Sequence, residues 1–320
     1  MVKQVVIDKG IPFLDGVFPP EIEALHLSPE EINAQNIRNA DALIVRTRTS
    51  VNRDLLHDSQ VRFVATATIG FDHIDQDYCR ENSIHWTSCP GCNAQAVCDY
   101  VEEAISSIKS DKNGLTIGII GYGNVGKLVA QMAENKGYRV LLSDPPLAIG
   151  SSLKEIAPQC DVLTFHTPLT HDGQYPTYHL CNTEILHLCK PDTLIINAAR
   201  GGIIDEQALL STLNTQHSTL NIKTAIDCWE DEPNLNQELL KHVDLASFHI
   251  AGYSMQGKMN ASEMCLRAFC EFFSLPILSI NKKVVPLHGD SNPGWLKRIS
   301  DQLKAAPEQF EQLRKQYKLR

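Results

Sequence analysis

Residues 115–126, LTIGIIGYGNVG, join a short apolar run to three glycines in the spacing G-x-G-x-x-G. The apolar run predicts a buried β-strand, and the segment after the glycines predicts a helix. In this motif the first glycine permits a tight turn, the second lets the backbone approach a pyrophosphate, and the third lets helix and strand pack closely. The free N–H groups at the start of such a helix bind phosphate. The stretch therefore predicts the first strand, turn and helix of a dinucleotide-binding domain.

An acidic residue follows the next predicted strand, 138–143. Asp144 comes 18 residues after Gly126, near the position about 20 residues on from which a carboxylate binds the adenosine ribose. A carboxylate there repels a 2′-phosphate, and no arginine follows it, so we expect NAD as the cofactor rather than NADP. A glycine-rich turn beside a surface aspartate is the alternative interpretation. The motif assigns cofactor contacts to Gly121, Gly123, Asn124, Val125, Gly126 and Asp144.

Short apolar runs alternate with helical segments on both sides of this motif. The predicted strands before it are 5–7, 42–45, 63–65 and 84–86, and those from it onward are 115–120, 138–143, 161–165, 193–197, 222–227 and 243–248. Strands that alternate with helices predict an α/β fold with parallel sheets. We therefore expect two doubly wound domains, a Rossmann cofactor domain and a flavodoxin-like substrate domain, followed by a short C-terminal α+β appendage. The predicted boundaries are 1–94 (completed by about 258–283), 95–257 and 284–320.

Composition limits the class of protein. The 320 residues are 43% hydrophobic and 21% charged, which is typical of a globular chain. The formal net charge of −9 argues against nucleic acid and anionic membranes as partners. No apolar run approaches the roughly 18–20 residues of a membrane-spanning helix. Ten scattered cysteines without an export signal indicate reduced thiols and a cytoplasmic protein.

Three polar residues follow predicted strands of the second domain, where open α/β sheets bind their ligands. Arg200 follows strand 193–197, Glu232 lies in the segment after strand 222–227, and His249 follows strand 243–248. Oxidation of a 2-hydroxy acid needs a cation for the carboxylate, which Arg200 supplies. It needs a base for the hydroxyl proton, which His249 supplies, and a carboxylate that orients this base, which Glu232 supplies. Each residue taken singly has a structural interpretation: a surface arginine, a structural histidine, a solvated acidic loop.

These segments resemble the D-isomer-specific 2-hydroxyacid dehydrogenases over about residues 40–275. The resemblance rests on the segments 197–201 (NAARG), 227–233 (DCWEDEP) and 249–252 (HIAG). It implies the same roles for Arg200, Glu232 and His249. It also implies cofactor contacts for Thr167, Ala198, Ala199, Arg200, Asp227 and Gly252.

A closer resemblance is to the members of this family that oxidise 4-phospho-D-erythronate with NAD in vitamin B6 biosynthesis. It rests on the segments 65–75, 90–94, 164–169, 249–253 and on the tail after residue 287. It implies a small, anionic, phosphorylated hydroxy acid as substrate and a homodimer built by the C-terminal appendage. The appendage is shortened here between Arg298 and Phe310, which leaves the dimer geometry open. The implied substrate contacts are Thr47, Thr68 and Tyr253, with Arg46 as a phosphate partner or, alternatively, a surface salt bridge.

Two other functions remain open from the sequence. The chain is alternatively another D-2-hydroxyacid dehydrogenase, such as one for 3-phosphoglycerate, or a non-enzymatic NAD(H)-sensing binding protein. The segment Cys89-Pro90-Gly91-Cys92 has the spacing of a redox motif, but a tight turn is the favoured interpretation, because a redox domain would not need the dinucleotide motif. A zinc site needs a second closely spaced ligand pair, and none is evident, so we expect no metal site.

Overall fold

The computed structural model describes residues 2–214, 220–280 and 292–319. The chain divides into two compact units. Unit 1 consists of Met1–Asn93 and Ser254–Leu287, and unit 2 consists of Ala94–Tyr253 and His288–Arg320. Among the helices that the structure describes, none is both long and apolar enough to cross a membrane.

Strands and helices alternate through most of the chain. The strands are β1 (Gln4–Asp8), β2 (Glu23–Leu27), β3 (Ala42–Val45), β4 (Phe63–Thr66), β5 (His85–Thr87), β6 (Thr116–Ile120), β7 (Arg139–Asp144), β8 (Ile149–Gly150), β9 (Val162–Phe165), β10 (Leu194–Asn197), β11 (Lys223–Ile226) and β12 (Leu245–Ala246). The helices are α1 (Arg53–Leu56), α2 (Gln76–Glu81), α3 (Ala94–Ile108), α4 (Asn124–Asn135), α5 (Leu153–Ile156), α6 (Thr183–Leu188), α7 (Glu206–Asn214), α8 (Gln237–His242), α9 (Met255–Phe272), α10 (Trp295–Ala305) and α11 (Phe310–Gln316). Three short 3-10 turns complete the regular structure of the described residues.

Unit 1 contains a five-stranded parallel sheet in the order β2-β1-β3-β4-β5. Strands β3 and β4 are buried along their whole length, because the sheet is covered on both faces. The C-terminal helix of the unit, α9, covers one face. Its Phe269 packs edge-on against Phe63 of β4, with ring centroids 6.1 Å apart.

Unit 2 contains a seven-stranded sheet in the order β12-β11-β10-β9-β6-β7-β8. All neighbouring strands are parallel except β7 and β8. Strand β7 lies on one side of β6, and β9, which comes later in the chain, lies on the other side. The direction in which strands are added to the sheet therefore reverses between β6 and β9. Ligands of open α/β sheets bind at such a switch point, beside the carboxyl ends of the strands. This sheet therefore brings the ends of β6, β9, β10, β11 and β12 to one edge.

The predicted fold class is confirmed, and every predicted strand is present within about two residues of its expected ends. The edge strand β2 was missed, because its polar residues and mixed burial give no clear apolar run. In the C-terminal appendage, residues 292–319 contain the helices α10 and α11. The segment 281–291 lies outside the described residues, so the strand part of the expected α+β appendage stays a prediction. The three domain boundaries predicted from the sequence stay a prediction.

Candidate active site

The glycine-rich turn joins β6 to α4, and each of its glycines has a separate steric reason. Gly121 has a φ of +93°, and a Cβ on it would lie 2.8 Å from the carbonyl oxygen of His166. A Cβ on Gly126 would overlap the carbonyl oxygen of Gly121. Gly123 is the N-cap of α4, and a Cβ on it would have no atom within 4 Å. This open space over the helix N-terminus fits the approach of a pyrophosphate.

Two polar side chains beside the turn also fit a dinucleotide. The backbone N–H of Tyr122 donates to Oδ2 of Asp144 at 2.6 Å, and that of Leu147 donates to Oδ1 at 3.3 Å. A carboxylate accepts about four hydrogen bonds, so both oxygens retain capacity for ribose hydroxyls. The Oγ1 of Thr167 is buried, and in the described part of the chain it has no hydrogen-bond partner. Since buried polar atoms normally have a partner, this hydroxyl is available to a polar group of a bound cofactor.

The buried carboxylate of Asp227 organises the loop after β12. Its Oδ1 accepts from the Ser247 hydroxyl at 2.7 Å and from the Ile250 N–H at 2.8 Å, and its Oδ2 accepts from the Ala251 N–H at 2.9 Å. The Asp227 carbonyl also accepts from the N–H of His249 at 2.9 Å. These bonds hold His249 in the left-handed region, with a φ of +58°. The cofactor contact that the resemblance implies for Asp227 stays a prediction.

His249 and Glu232 form a direct pair. Nδ1 of His249 and Oε2 of Glu232 are 2.8 Å apart, and the other carboxylate oxygen accepts from the Trp229 N–H at 2.9 Å. Burial opposes a charge on the imidazole, whereas the Cys228 and Glu232 side chains favour it, and the net effect raises the pKa of His249 well above its usual value. Because Nδ1 faces the carboxylate, Nε2 is the nitrogen that remains for proton exchange with a substrate.

Arg200 lies in the loop after β10, close to the same segment. The Asn197 side chain donates to the Arg200 carbonyl at 2.8 Å and to the Cys228 carbonyl at 3.2 Å, so it ties the two loops together. A Cβ on Gly201 would overlap the carbonyl oxygen of Trp229, which requires glycine there. The Arg200 guanidinium donates to the Ala199 carbonyl at 2.7 Å. No carboxylate from the described residues lies within 4.0 Å of it, so it is a cation that can bind an anion.

The remaining predicted cofactor residues lie on the same edge of unit 2. Asn124 and Val125 form the first turn of α4, Ala198 and Ala199 precede Arg200, and Gly252 follows the loop that holds His249. The hydroxyl of Tyr253 accepts from Nε of Arg314 at 3.1 Å. The sequence analysis missed Arg314, because 61 residues separate the two partners.

Unit 1 carries a separate polar cluster at the ends of β1, β3 and β4. Arg46 makes a bidentate pair with the fully buried Asp8, at 2.9 Å from Nε to Oδ2 and 2.8 Å from Nη2 to Oδ1. The Thr68 hydroxyl lies 2.7 Å from that of Thr66 and donates to the Gly70 carbonyl at 2.9 Å. Thr47, next to Arg46, is exposed. The pairing with Asp8 shows that Arg46 is held in place and is not a loose surface side chain.

Lys258, in the first turn of α9, adds a second cation to the polar cluster around Arg46 in unit 1. Burial lowers the pKa of Lys258, and the charge of Arg46 lowers it further. In the described ranges no carboxylate lies within 4.0 Å of its ammonium. Two cations and one carboxylate leave a positive surplus, which favours an anion. The sequence analysis missed Lys258 because nothing in its local pattern relates it to Arg46.

The two cysteines of the C-x-x-C segment do not have the features of a redox site. Both are buried free thiols, and Cys92 N–H donates to the Cys89 carbonyl in a tight turn. Burial raises the pKa of Cys92 to about 12, whereas a reactive cysteine needs a lowered pKa. The structure favours the tight-turn interpretation.

Comparisons with known proteins identify the relatives of this chain. Residues 97–251 match the family described as D-isomer specific 2-hydroxyacid dehydrogenase, NAD binding domain. The chain is 40% identical to an erythronate-4-phosphate dehydrogenase of Bacteroides fragilis, over 99% of this chain and 96% of the relative. It is 41% identical to one of Hydrogenovibrio crunogenus, over 85% of this chain and 73% of the relative.

Solved structures share the fold at lower identity. An NAD⁺-bound 3-phosphoglycerate dehydrogenase of Entamoeba histolytica has a TM-score of 0.70 at 22% identity, over 89% of this chain and 100% of that one. A D-mandelate dehydrogenase of Rhodotorula graminis has a TM-score of 0.71 at 20% identity, over 89% and 99% of the two chains.

The open space at Gly123 gives a direct test of the cofactor site. We expect Gly123→Ala to leave the thermal unfolding midpoint near that of the parent protein, because the new methyl meets no protein atom. The methyl would still obstruct the approach of the pyrophosphate, so NADH affinity should fall about tenfold or more. Fluorescence titration with NADH measures this affinity. Gly126→Ala is the comparison, and it should lose stability because its new methyl would overlap the carbonyl oxygen of Gly121. Unchanged NADH affinity in a folded Gly123→Ala protein would place the cofactor elsewhere.

Proposed function

This chain belongs to the erythronate-4-phosphate dehydrogenase family of NAD-dependent D-2-hydroxyacid dehydrogenases, and we propose that it oxidises 4-phospho-D-erythronate to 3-hydroxy-2-oxo-4-phosphobutanoate. The product serves the biosynthesis of pyridoxal 5′-phosphate. The observation that carries this proposal is the His249–Glu232 pair. The same unit holds a glycine-rich dinucleotide loop and Arg200, whose guanidinium has no carboxylate within 4.0 Å among the described residues.

His249 acts as the base in the proposed mechanism. Its Nε2 takes the proton of the C2 hydroxyl, and Glu232 on Nδ1 stabilises the imidazolium that forms. Bound NAD supplies the acceptor for the C2 hydride. The Asp227 carboxylate holds the loop that carries His249, so the imidazole does not have to be ordered when substrate binds.

Arg200 binds the substrate carboxylate in this proposal. Its guanidinium matches the planar geometry of a carboxylate, and the Asn197 side chain and the close packing of Gly201 on Trp229 hold its loop against the segment that carries Glu232. Thr68 and Thr47 of unit 1 and Tyr253 of unit 2 contribute further substrate contacts, as the sequence resemblance implies.

Arg46 and Lys258 bind the phosphate. Asp8 neutralises one of these two charges, so the pair retains a net charge of about +1 for a phosphate dianion. Burial disfavours the ammonium of Lys258 when no anion is present. A phosphate would supply the missing counter-charge, which links the phosphorylated substrate to a specific feature of unit 1.

We also propose a homodimer and a cytoplasmic location. The homodimer rests on the resemblance of the C-terminal tail to the appendage that builds the dimer in this branch of the family. The location rests on the ten cysteines, which are all free and buried. Free thiols in this number are typical of a reducing compartment.

The proposed roles of His249 and Arg200 are separable by kinetics. We expect His249→Asn, which keeps a side chain that tolerates positive φ, to lower kcat by roughly 10²–10⁴-fold because the base is lost. We expect Arg200→Met to raise KM by about tenfold or more, since a charged hydrogen bond is lost. NADH absorbance with phosphoerythronate, phosphoglycerate and erythronate measures both, and NADH titration shows that cofactor binding is retained. The control is the exposed His242→Asn. Near-parental kcat/KM in either site variant would contradict its assigned role.

The raised pKa of His249 predicts the direction of the pH dependence. Oxidation needs the neutral imidazole, so kcat/KM should rise with pH through an apparent pKa above the ordinary histidine value of 6.5. Glu232→Gln removes the carboxylate that supports the imidazolium, so burial is opposed by the Cys228 side chain alone. The profile should therefore move to lower pH, and its plateau should fall by roughly 10²-fold. Glu230→Gln, whose parent carboxylate accepts from Tyr178 and His179, is the control. An unchanged pH profile of kcat/KM in Glu232→Gln would contradict the proposed effect of Glu232 on the pKa of His249.

Lys258 allows a test of the phosphate site without disturbing a buried ion pair. Removal of Arg46 would leave Asp8 buried without its partner, whereas Lys258 has no carboxylate partner in the described residues. We expect Lys258→Met to fold normally and to raise the KM for phosphoerythronate about tenfold or more. The ratio of kcat/KM values for phosphoerythronate and erythronate should fall by the same factor. The exposed Lys241→Met is the control. An unchanged ratio in Lys258→Met would remove Lys258 from the phosphate site.

A further inference from the structure

We propose that Cys228, Glu232 and His249 form a binding site for a soft divalent cation of the zinc type, and that its occupancy blocks the base of the reaction. One ligand atom from each of the three side chains lies within 4.8 Å of the other two. Within the described residues, no other group of three or more such side chains meets this criterion. The sequence analysis expected no metal site, because it searched for closely spaced ligand pairs.

The donor set and its dimensions suit tetrahedral zinc. Thiolate sulfur, imidazole nitrogen and carboxylate oxygen are the three protein donors that zinc prefers. With bonds of about 2.0–2.3 Å, tetrahedral zinc holds its ligand atoms roughly 3.3–3.8 Å apart. Small rotations of these side chains, which widen the 2.8 Å spacing between His249 and Glu232, would therefore form the site. Three protein ligands leave the fourth position for water, as in zinc sites that are open to solvent.

The charges balance when the cation binds. Zn²⁺ replaces the proton of the Cys228 thiol and the proton shared by Nδ1 of His249 and the Glu232 carboxylate, and both protons leave to solvent. A thiolate and a carboxylate then neutralise the two positive charges of the metal. The neutral complex avoids the cost of an unpaired thiolate in a buried place, which Cys228 alone would incur.

The backbone around the three ligands is already ordered. The Trp229 N–H holds one oxygen of Glu232 at 2.9 Å, and the Asp227 carbonyl holds the N–H of His249 at 2.9 Å. The side chains of His249 and Glu232 are 30% and 19% exposed, whereas Cys228 is 2% exposed. A cation therefore reaches the site from the imidazole side and meets the thiol last.

Occupancy has a kinetic consequence that rests on the proposed function. A metal on Nδ1 of His249 and on Glu232 leaves the remaining imidazole proton on Nε2, and an N–H cannot accept the substrate proton. Dehydrogenase activity therefore stops until a chelator removes the metal. Cation binding itself does not depend on the proposed function, so the two ideas can fail separately.

Cobalt is the probe for the binding test. We expect the untagged, reduced, full-length protein to bind one equivalent of Co²⁺ with the near-ultraviolet absorption of a cobalt–thiolate bond, and Zn²⁺ to displace it. Cys228→Ala should lose this band. The matched control is Cys189→Ala, which removes a buried thiol that donates to the Ile185 carbonyl, and it should keep the band. If Cys228→Ala does not fold, Cys228→Val, which fills the same volume, replaces it.

Inhibition of the dehydrogenase activity by Zn²⁺ is the second measurement. In chelator-free buffer the Zn²⁺ concentration for half inhibition should rise about tenfold or more in the Cys228 variant, measured against that variant's own zinc-free rate, because one ligand is lost. A parental protein without a cobalt–thiolate band, or a band that survives Cys228→Ala, would overturn the site. A band that depends on Cys228 in a protein that oxidises no hydroxy acid would sustain the metal site and overturn the catalytic proposal.

Discussion

The buried carboxylate of Asp227 is the interaction on which the candidate site depends. It accepts three hydrogen bonds from the segment 247–251, and these bonds hold the loop after β12 against the end of β11. That conformation includes a left-handed backbone at His249, which costs free energy that the surrounding bonds must offset. The imidazole is thereby aimed at Glu232 by the protein's own contacts. A buried charge with three donors is stable, whereas the same charge with donors missing would be costly.

Close backbone contacts have a similar effect on the neighbouring loops. The carbonyl oxygen of Gly121 lies where a side chain on Gly126 would have to be, and the carbonyl oxygen of Trp229 occupies the same kind of position beside Gly201. The first contact packs α4 against the end of β6 at the dinucleotide turn. The second sets the loop of Arg200 against the segment that leads to Glu232. The glycines thus join parts of the site that are far apart in the sequence.

Charge is distributed unevenly over a chain whose formal net charge is −9. Arg200 in unit 2 and Lys258 in unit 1 are both cations without a carboxylate within 4.0 Å in the described part of the chain. Arg46 has its partner, Asp8, in a pair that burial makes expensive to break. An acidic protein that keeps unpaired cations in ordered places has sites for anions, and a phosphorylated hydroxy acid carries two anionic groups. A preference for anions would come from these local positive charges, since the net charge of the chain is negative.

The sequence alone determined the alternation of strands and helices, the dinucleotide turn, and the strand ends after which Arg200, Glu232 and His249 appear. These features are readable because apolar period, glycine spacing and position after a strand are local properties. Only the tertiary structure decided that Cys228 lies beside His249, that Asp8 holds Arg46, and that Lys258 adds its charge to the same cluster. The edge strand β2 was also recognisable only in the tertiary structure, because its pairing with β1 defines it better than its own residues do. Such relations join residues that are up to about two hundred positions apart, and no local pattern encodes a distance in space between them.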